Sequence, residues 1–383
     1  MKIVVYCQHV LGIGHFFRTL EICRKLMGHD VTLISGGETP DVHLPAHVQE
    51  MRLPGLMMDA DFKHMFPTEA GKSIEAVKSQ RQDSLFRFFE ATSPDIFMIE
   101  LYPFGRKAFR FELDPVLEAI RDKTLPSCRV VCSLRDVLVE KTKTASYEAR
   151  VIKVLNRYFD ALLIHSDPNF LTLDRTFSRM DDITLPIVYT GFVTPKPEPG
   201  SGKKLRKKLG IAQDDPFLVA SAGGGKVGGD LLTAVVKAFP SLPKNCHLQV
   251  FTGPFLSDDA FSTLKSYACK AVHVDRFSRH FLAYLDAADL SVSMAGYNTS
   301  MNIMAADTPA LVWPFGQNRE QRLRAEQLSR LGGLQILSDD DLDPIRLADL
   351  MTQRLFNKKR SAGAINLGGA EKTADWLLRE KRL

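Results

Sequence analysis

The sequence predicts an α/β protein with two doubly wound domains, each built on a parallel sheet. Short, almost wholly apolar runs alternate with longer amphipathic runs along all 383 residues. Strands that are apolar throughout, rather than at every second residue, indicate sheets covered by helices on both faces. The chain is also long for one domain. A segment rich in Pro and Gly at 194–202 separates the two halves.

The first half predicts strands followed by amphipathic helices, and we assign residues 1–193 to an N-terminal Rossmann-like domain. Apolar runs bounded by turn residues mark the strands, and apolar residues at helical spacing mark the helices. The predicted strands are 2–7, 31–35, 48–53, 95–100, 129–134, 161–166 and 187–191. The predicted helices are 15–28, 72–92, 108–122 and 142–158.

The second half repeats this rhythm. We assign 194–209 to a linker, 210–365 to a C-terminal Rossmann-like domain and 366–383 to a closing amphipathic helix. The predicted strands are 217–221, 247–252, 271–275, 290–294, 310–314 and 334–337. The predicted helices are 229–239, 257–268, 279–287, 299–306, 319–331 and 342–356. Ligands of such sheets bind at the carboxyl ends of the strands, so two facing domains predict an interdomain cleft.

The composition is that of an ordinary soluble globular protein, with 45% apolar and 25% charged residues. A net charge of +5 suits a phosphate-bearing ligand, but it is too small to indicate a nucleic-acid partner. The densest basic run is 203–208. It reads either as the solvated first turn of a helix or as a weak peripheral contact with acidic lipid.

The cysteines and the N-terminus favour a cytoplasmic location. Six cysteines occur without a CxxC pair, which argues against a zinc knuckle or a redox pair and fits a reducing compartment. The chain starts directly with an apolar strand instead of a signal peptide. No apolar run approaches the roughly 18 residues of a membrane-spanning helix, so any membrane contact would be peripheral, on the inner face.

The first strand runs into a glycine loop and a helix. Gly12 and Gly14 permit a tight turn that could cradle a phosphate or an oxyanion, and His15 stands near the helix start. Phe17 occupies the third glycine position of the dinucleotide fingerprint, which disfavours a dehydrogenase. His15 is either a general base, since its ordinary pKa is near neutral, or a capping and packing residue.

The second domain opens in the same way. Its first strand leads into Ala222–Gly229, which contains five glycines, and then into a helix. Val227 follows Lys226 where a nucleotide-hydrolysing P-loop has Ser or Thr, so that chemistry lacks its usual magnesium ligand. A tight turn would need only one or two glycines, and the number present favours close approach of a ligand.

The most informative segment is Met294–Pro309, followed by Trp313–Arg322. Gly296 allows a sharp turn, and Asn298 and Thr299 suit a helix start whose amides favour a phosphate. Glu320 and Gln321 follow the next apolar strand and could bind hydroxyl groups. A phosphate site beside a hydroxyl site predicts a nucleotide sugar.

Two further features leave alternatives open. Phe277 follows the strand 271–275, and its loop could contact a base or its ring could pack in the core. Metal signals are poor: Asp59 and Asp61 form a DxD pair that does not follow a strand, and Asp339–Asp341 resembles a helix cap. We therefore predict no metal site and no cofactor.

The ordered series of motifs resembles the GT-B glycosyltransferases related to MurG, and within them a set known only as predicted glycosyltransferases. The similarity extends over nearly all of the chain. The segments that carry it are Gly12–Arg18, Pro94–Glu100, Leu134–Asp136, His165–Pro168, Tyr189–Val193, Met294–Thr299 and Arg319–Gln321. The resemblance implies two Rossmann-like domains and transfer of a sugar from a nucleoside-diphosphate donor.

The resemblance also implies roles for individual residues. Gly12, Gly14 and His15 would line the acceptor side near the reacting carbon, and the two glycines count among the donor-binding residues as well. The remaining donor contacts would lie in the second domain. Gly224, Gly225 and Lys226 would hold phosphate, and Phe277 and its loop would contact the base. The diphosphate would bind at Gly296, Tyr297, Asn298 and Thr299, and the sugar hydroxyls would bind Glu320 and Gln321. Asn302 departs from the pattern, because the family usually has a ribose-binding Glu there.

The expected reaction is inverting, metal-independent transfer from a UDP-linked sugar, such as UDP-GlcNAc, to a hydroxyl of a sugar or a lipid-linked acceptor. His15 would deprotonate that hydroxyl. Polysaccharide or glycolipid biosynthesis would use such a step. The alternatives are a nucleotide-sugar hydrolase or epimerase of the same fold, and a sugar-nucleotide-binding protein that has lost catalysis, which Asn302 keeps open.

Overall fold

A computed structural model of the chain describes residues 1–8, 14–37, 42–58, 64–138, 144–224, 227–316, 319–357 and 365–379. The chain forms two compact units. The first is Met1–Val193 with Gly368–Leu383, and the second is Thr194–Leu367. Each has the doubly wound α/β architecture that the sequence predicts, so the predicted fold class is confirmed.

The first domain is built on a parallel sheet with the strand order β3-β2-β1-β6-β7-β8-β9. Its strands are β1 (Lys2–Tyr6), β2 (Asp30–Ser35), β3 (Val48–Arg52), β6 (Ile96–Glu100), β7 (Arg129–Arg135), β8 (Ala161–His165) and β9 (Ile187–Tyr189). The strands β4 (Leu56–Met58) and β5 (Met65–Pro67) pair separately as an antiparallel hairpin that the sequence analysis did not predict.

Helices cover both faces of the first sheet. They are α1 (Gly14–Arg24), α2 (Ile74–Thr92), α3 (Arg110–Arg121), α4 (Thr144–Tyr158) and, from the end of the chain, α12 (Gly369–Arg379). Alternate residues of β1 contact different cores, since Val4 and Tyr6 belong to one hydrophobic cluster and Ile3 and Val5 to the other. Burial of both faces explains why these strands read as continuous apolar runs.

The closing helix is part of the first domain. Leu377 packs in the same cluster as Ile3, and Arg129 donates a hydrogen bond to the carbonyl of Leu377. Gly369 lies so close to the backbone of Gly191 that a Cβ would come within 2.1 Å of its carbonyl oxygen. The C-terminal helix predicted within 366–383 is α12, and it completes the core of the first domain.

The second domain has a parallel sheet in the order β12-β11-β10-β13-β14-β15. Its strands are β10 (Phe217–Ser221), β11 (His247–Phe251), β12 (Val272–Asp275), β13 (Leu290–Met294), β14 (Ala310–Trp313) and β15 (Leu334–Ile336). Its helices are α5 (Ser201–Leu209), α6 (Gly229–Ala238), α7 (Asp258–Lys265), α8 (Phe281–Ala287), α9 (Tyr297–Ala306), α10 (Arg319–Ser329) and α11 (Pro344–Phe356).

The assignment of 194–209 to a linker is too long, because residues 201–209 form helix α5. A Cβ on Gly202 would lie 2.6 Å from the backbone carbon of Asp286, so α5 and α8 touch backbone to backbone. The Asp286 carboxylate accepts hydrogen bonds from the Ser201 hydroxyl and the Gly202 amide at 2.9 and 2.6 Å. The basic run of 203–208 lies on this anchored helix, with Lys203, Lys204, Lys207 and Lys208 exposed.

Both sheets reverse their strand order at one point. In the first sheet the reversal lies between β1 and β6, and in the second between β10 and β13. Ligands of doubly wound sheets bind outside the carboxyl ends of the strands at this switch point. Among the described residues, no helix is long and apolar enough to cross a membrane.

Candidate active site

The first candidate site lies at the switch point of the first sheet. Glu100 is the last residue of β6, and the chain that leaves the adjacent strand β1 returns as helix α1 at Gly14. The structure therefore brings His15, at the start of α1, to Glu100, which is 85 residues away in sequence. Gly12 lies outside the described residues, and Gly14 is the first residue of the helix.

His15 and Glu100 form a hydrogen-bonded pair. Nδ1 of His15 is 2.6 Å from Oε1 of Glu100. A carboxylate can only accept, so this short contact assigns the proton to Nδ1 and leaves the lone pair on Nε2. A histidine oriented in this way by a carboxylate is suited to take a proton at its other nitrogen.

Two arginines surround the same carboxylate. Glu100 is 1% exposed, Arg18 donates to its Oε1, and Nη2 of Arg106 is 3.8 Å from its Oε2. Burial raises the pKa of Glu100, but His15, Arg18 and Arg106 outweigh burial and hold that pKa below its ordinary range. Glu100 is therefore an anion that stays ionised within the domain.

His15 is the neutral member of this cluster. Burial, assisted by the charges of Arg106 and Arg18, outweighs the attraction of Glu100 and lowers the pKa of His15 to about 4. At neutral pH the imidazole is consequently deprotonated at Nε2 and able to accept a proton. The side chain is 22% exposed, so it is not sealed in the core.

The sequence alone predicts no role for Glu100, Arg18 or Arg106, although Glu100 and Arg18 lie in segments that carry the family resemblance. One signal was available: Glu100 is an acidic residue that ends an otherwise apolar strand. Its partner could not be read from the sequence, since strand order decides which loop faces which strand.

The second candidate site lies at the switch point of the second sheet. β10 ends at Ser221 before the glycine loop, and β13 ends at Met294 before Gly296. The two motifs lie side by side, since a Cβ on Gly223 would be 3.5 Å from the Thr299 hydroxyl. Gly225 and Lys226 lie outside the described residues.

Two glycines at this site are not demanded by the fold. Gly296 has φ −63° and ψ 152°, and no described atom lies within 4 Å of the place a Cβ would occupy. The same place on Gly224 meets only the ring of Phe255, at 3.9 Å, which is ordinary contact. Alanine would fit at both positions, so these glycines leave open space beside the backbone.

Gly228 is a contrasting case in the same loop. Its φ is +102°, and a Cβ would lie 2.9 Å from Cγ of Met294 and 3.0 Å from Cβ of Ala222. Here glycine is required by the turn and by packing. Within this loop, glycine is therefore structurally required at Gly228 but not at Gly224.

Helix α9 begins at the switch point with Gly296 as its N-cap, and Gly296 has no side chain with which to cap it. Such a helix start presents amide donors and the positive end of the helix dipole to an anion. Tyr297 and Thr299 are buried, at 6% and 7% exposure, whereas Asn298 is partly exposed. The Tyr297 ring lies under the Arg324 guanidinium at 5.2 Å.

The predicted sugar-binding residues start helix α10, beyond β14. Glu320 is 7% exposed and Gln321 is partly exposed. Oε1 of Gln321 accepts a hydrogen bond from the amide of Phe315 at 3.2 Å, so its NH2 group is the part left to bind a hydroxyl.

Asn302 lies in the second turn of α9 and is partly exposed. Its Oδ1 accepts a hydrogen bond from the Thr194 hydroxyl at 2.9 Å. Asn302 can therefore offer a ribose hydroxyl its NH2 group, whereas the Glu of the resemblance would offer only acceptors.

Phe277 lies on the loop after β12 and is 47% exposed, so the alternative that its ring is core does not hold. Asp59 and Asp61 lie outside the described residues, and within the described part of the chain no group of three or more His, Cys, Asp or Glu side chains could hold a metal ion.

Comparison with known families gives a match over residues 222–374, to the glycosyltransferase family 28 C-terminal domain. The chain is 31% identical over 174 residues to the UDP-N-acetylglucosamine–N-acetylmuramyl-(pentapeptide) pyrophosphoryl-undecaprenol N-acetylglucosamine transferase of Rhodococcus erythropolis, covering 44% of each chain. An uncharacterised glycosyltransferase of Methanopyrus kandleri is 23% identical over 58% of this chain and 61% of its own length. These matches thus span about half of each relative.

Solved structures match over the whole chain. MurG of Acinetobacter baumannii has a TM-score of 0.53 at 14% identity, covering 98% of this chain and 95% of its own. The calicheamicin glycosyltransferase CalG4 has a TM-score of 0.58 at 16% identity, covering 98% and 97%. At such low identity these likenesses show the fold alone, and that fold is GT-B. The similarity to glycosyltransferase family 28 is carried by residues 222–374.

Proposed function

We propose that the protein transfers a sugar from a nucleoside-diphosphate sugar, UDP-linked, to the hydroxyl of a sugar or lipid-linked acceptor. The observation that carries the proposal is the pair of open glycines at the second switch point. Gly224 and Gly296 are needed neither for backbone conformation nor for packing, and a ligand that approaches the backbone explains both. The helix start at Tyr297 adds donors for a diphosphate.

The reaction we propose is a single inverting displacement. Nε2 of His15 takes the proton of the acceptor hydroxyl as its oxygen attacks the anomeric carbon. The bond between that carbon and the diphosphate oxygen breaks, and the nucleoside diphosphate leaves with the electron pair. The amides at the start of α9 and along 223–224 stabilise the charge that develops on it. We propose that no metal ion is needed.

Glu100 supports the role of His15 in this scheme. It holds Nδ1–H and thereby orients the ring, and its charge stabilises the imidazolium that forms as the proton arrives. Arg18 and Arg106 keep Glu100 ionised and in place. The Rhodococcus erythropolis relative, whose name specifies UDP-N-acetylglucosamine and a pyrophosphoryl-undecaprenol acceptor, supports the choice of donor and the lipid-linked alternative for the acceptor.

A thermal-shift screen against UDP-, GDP- and dTDP-sugars tests the donor. A ligand that binds the native state raises the Tm, by an amount set by its concentration over its Kd. We expect a UDP-sugar to give the largest rise, and a screen in which none raises the Tm would refute the proposal.

Incubation with the binding donor and no acceptor then separates transfer from hydrolysis. The His15–Glu100 pair could activate water as well as an acceptor hydroxyl. We expect slow release of free sugar without acceptor. Rapid, stoichiometric release would instead favour a nucleotide-sugar hydrolase.

A further inference from the structure

Three neighbouring loops of the second domain are joined by backbone hydrogen bonds. They follow β10, β11 and β12, which are adjacent in the sheet. The Phe255 amide donates to the Gly224 carbonyl at 3.1 Å, and the Gly253 amide donates to the Arg276 carbonyl at 2.8 Å. The loop that carries Phe255 is thus tied to the glycine loop on one side and to the Phe277 loop on the other.

Arg276 holds the same loop through its side chain. Its guanidinium donates to the Leu256 carbonyl at 2.7 Å and to the Asp258 carboxylate, and it lies over the Phe261 ring at 4.3 Å. Hydrogen bonds at Gly253, Phe255 and Leu256 therefore fix the position of the backbone around Phe255. Its side chain is presented by a fixed loop.

The ring of Phe255 is nevertheless 36% exposed, and Phe277 on the neighbouring loop is 47% exposed. Cδ2 of Phe255 is 3.9 Å from the place of a Cβ on Gly224, so the ring borders the open space beside that glycine. An aromatic side chain held in place at the edge of a ligand site offers a flat apolar surface at little cost in conformational entropy.

The order of these features along the sheet edge matches the order of groups in a nucleotide sugar. The proposed diphosphate site is at β10 and β13, and Glu320 and Gln321, the proposed hydroxyl-binding residues, follow β14 on one side. Phe255 lies on the opposite side, after β11. A donor with its sugar toward β14 and its diphosphate at the switch point extends its nucleoside toward Phe255.

We propose that Phe255 stacks on the nucleobase of the donor and so contributes to affinity only when a base is present. This inference rests on the proposed donor site and adds a residue to it. Base-on-aromatic stacking is insensitive to the identity of the base, so Phe255 would strengthen binding without choosing among UDP, GDP and dTDP.

Isothermal titration of the full chain with UDP and with inorganic pyrophosphate tests the proposal. In Phe255→Ala we expect the Kd for UDP to rise about tenfold, as loss of one stacking contact predicts, while the Kd for pyrophosphate stays unchanged. Phe255→Trp should retain the affinity for UDP. Phe356→Ala is the matched control, because Phe356 is 77% exposed at the end of α11 in the same domain.

The outcomes separate this inference from the proposed function. Wild-type affinity of Phe255→Ala for UDP would overturn the stacking role alone. An equal loss for UDP and pyrophosphate would also overturn it, since that result indicates a disturbed glycine loop. A wild-type protein that binds none of UDP, GDP and dTDP would refute the donor site itself, and the stacking role with it.

Discussion

The two domains have the same kind of sheet, and each has a switch point. Charged side chains fill the switch point of the first domain, whereas glycines without side chains line that of the second. In the first domain the position is filled by charge: a buried carboxylate between two arginines, with a neutral histidine bonded to it. In the second domain, Gly224 and Gly296 leave open space beside the backbone, next to the start of a helix. The fold determines where a ligand can bind, and the side chains at that place determine what is done to it.

The division has a physical reason. Proton transfer needs a base whose orientation and charge state are fixed, which takes several side chains in contact. Binding a diphosphate needs backbone amides that the anion can reach, which takes the absence of side chains. Variants at the two points should therefore differ in kind: turnover should respond in the first domain and donor affinity in the second.

The largest effect is expected for His15→Ala. Loss of a general base lowers turnover by about 10²- to 10⁴-fold, and the Kd for the donor and the Tm should stay close to wild type. Release of nucleoside diphosphate with acceptor present, together with titration of the donor, measures both. If donor affinity falls and turnover does not, the contrast between the domains is wrong.

The pH dependence sharpens the same point. Because the pKa of His15 is lowered to about 4 from its ordinary 6.5, the base form persists from neutral pH down to about pH 4. We expect kcat/KM to hold between pH 5 and 7 and to fall below pH 4. In Glu100→Gln the attraction that raises the pKa of His15 is lost, so the acid limb should move to lower pH while the maximal rate drops. An acid limb near pH 6.5 in the wild type would contradict the assignment of His15 as a partly buried histidine that is neutral at pH 7.

A matched set of glycine variants tests the second domain. Gly296→Ala should leave the free energy of unfolding within about 0.5 kcal/mol of wild type. It should raise the Kd for the donor about tenfold, which corresponds to roughly 1.4 kcal/mol of binding free energy. Gly228→Ala should lower stability by about 1–3 kcal/mol, because of its positive φ and its contact with Met294. Urea denaturation and donor titration of both variants are the measurements. Equal stability losses would show that Gly296 is structural.

The smallest effect is expected for Asn302→Ala. Asn302 can offer the ribose one NH2 group, and a single neutral hydrogen bond contributes about 1 kcal/mol. The Kd for UDP should rise accordingly, by less than the change at Gly296, with the Kd for pyrophosphate unchanged. A larger loss than that of Gly296→Ala would make Asn302 the principal donor contact, against our ranking.

The sequence was sufficient for most of the architecture because its signals there are local. The strands of both sheets lie within a residue or two of their predicted bounds, since continuous apolar runs between turn residues mark buried strands. It missed the β4–β5 hairpin, whose segments are only three residues each, and it took residues 201–209 for a linker although they form α5. A highly basic helix has a weak apolar pattern, and α5 is fixed by its hydrogen bonds to Asp286, Ala287 and Asp289.

The sequence by itself determined the two doubly wound domains, the glycine loops and the placing of His15 at a helix start. These follow from periodicity, turn residues and caps, which act over a few residues. Only the tertiary structure decided that Glu100 is the partner of His15 and that α12 belongs to the core of the first domain. It also decided that Gly296 has open space beside its backbone, whereas the surroundings of Gly228 are filled. Those facts depend on strand order and on packing between residues tens to hundreds of positions apart, and no local pattern encodes which of them meet.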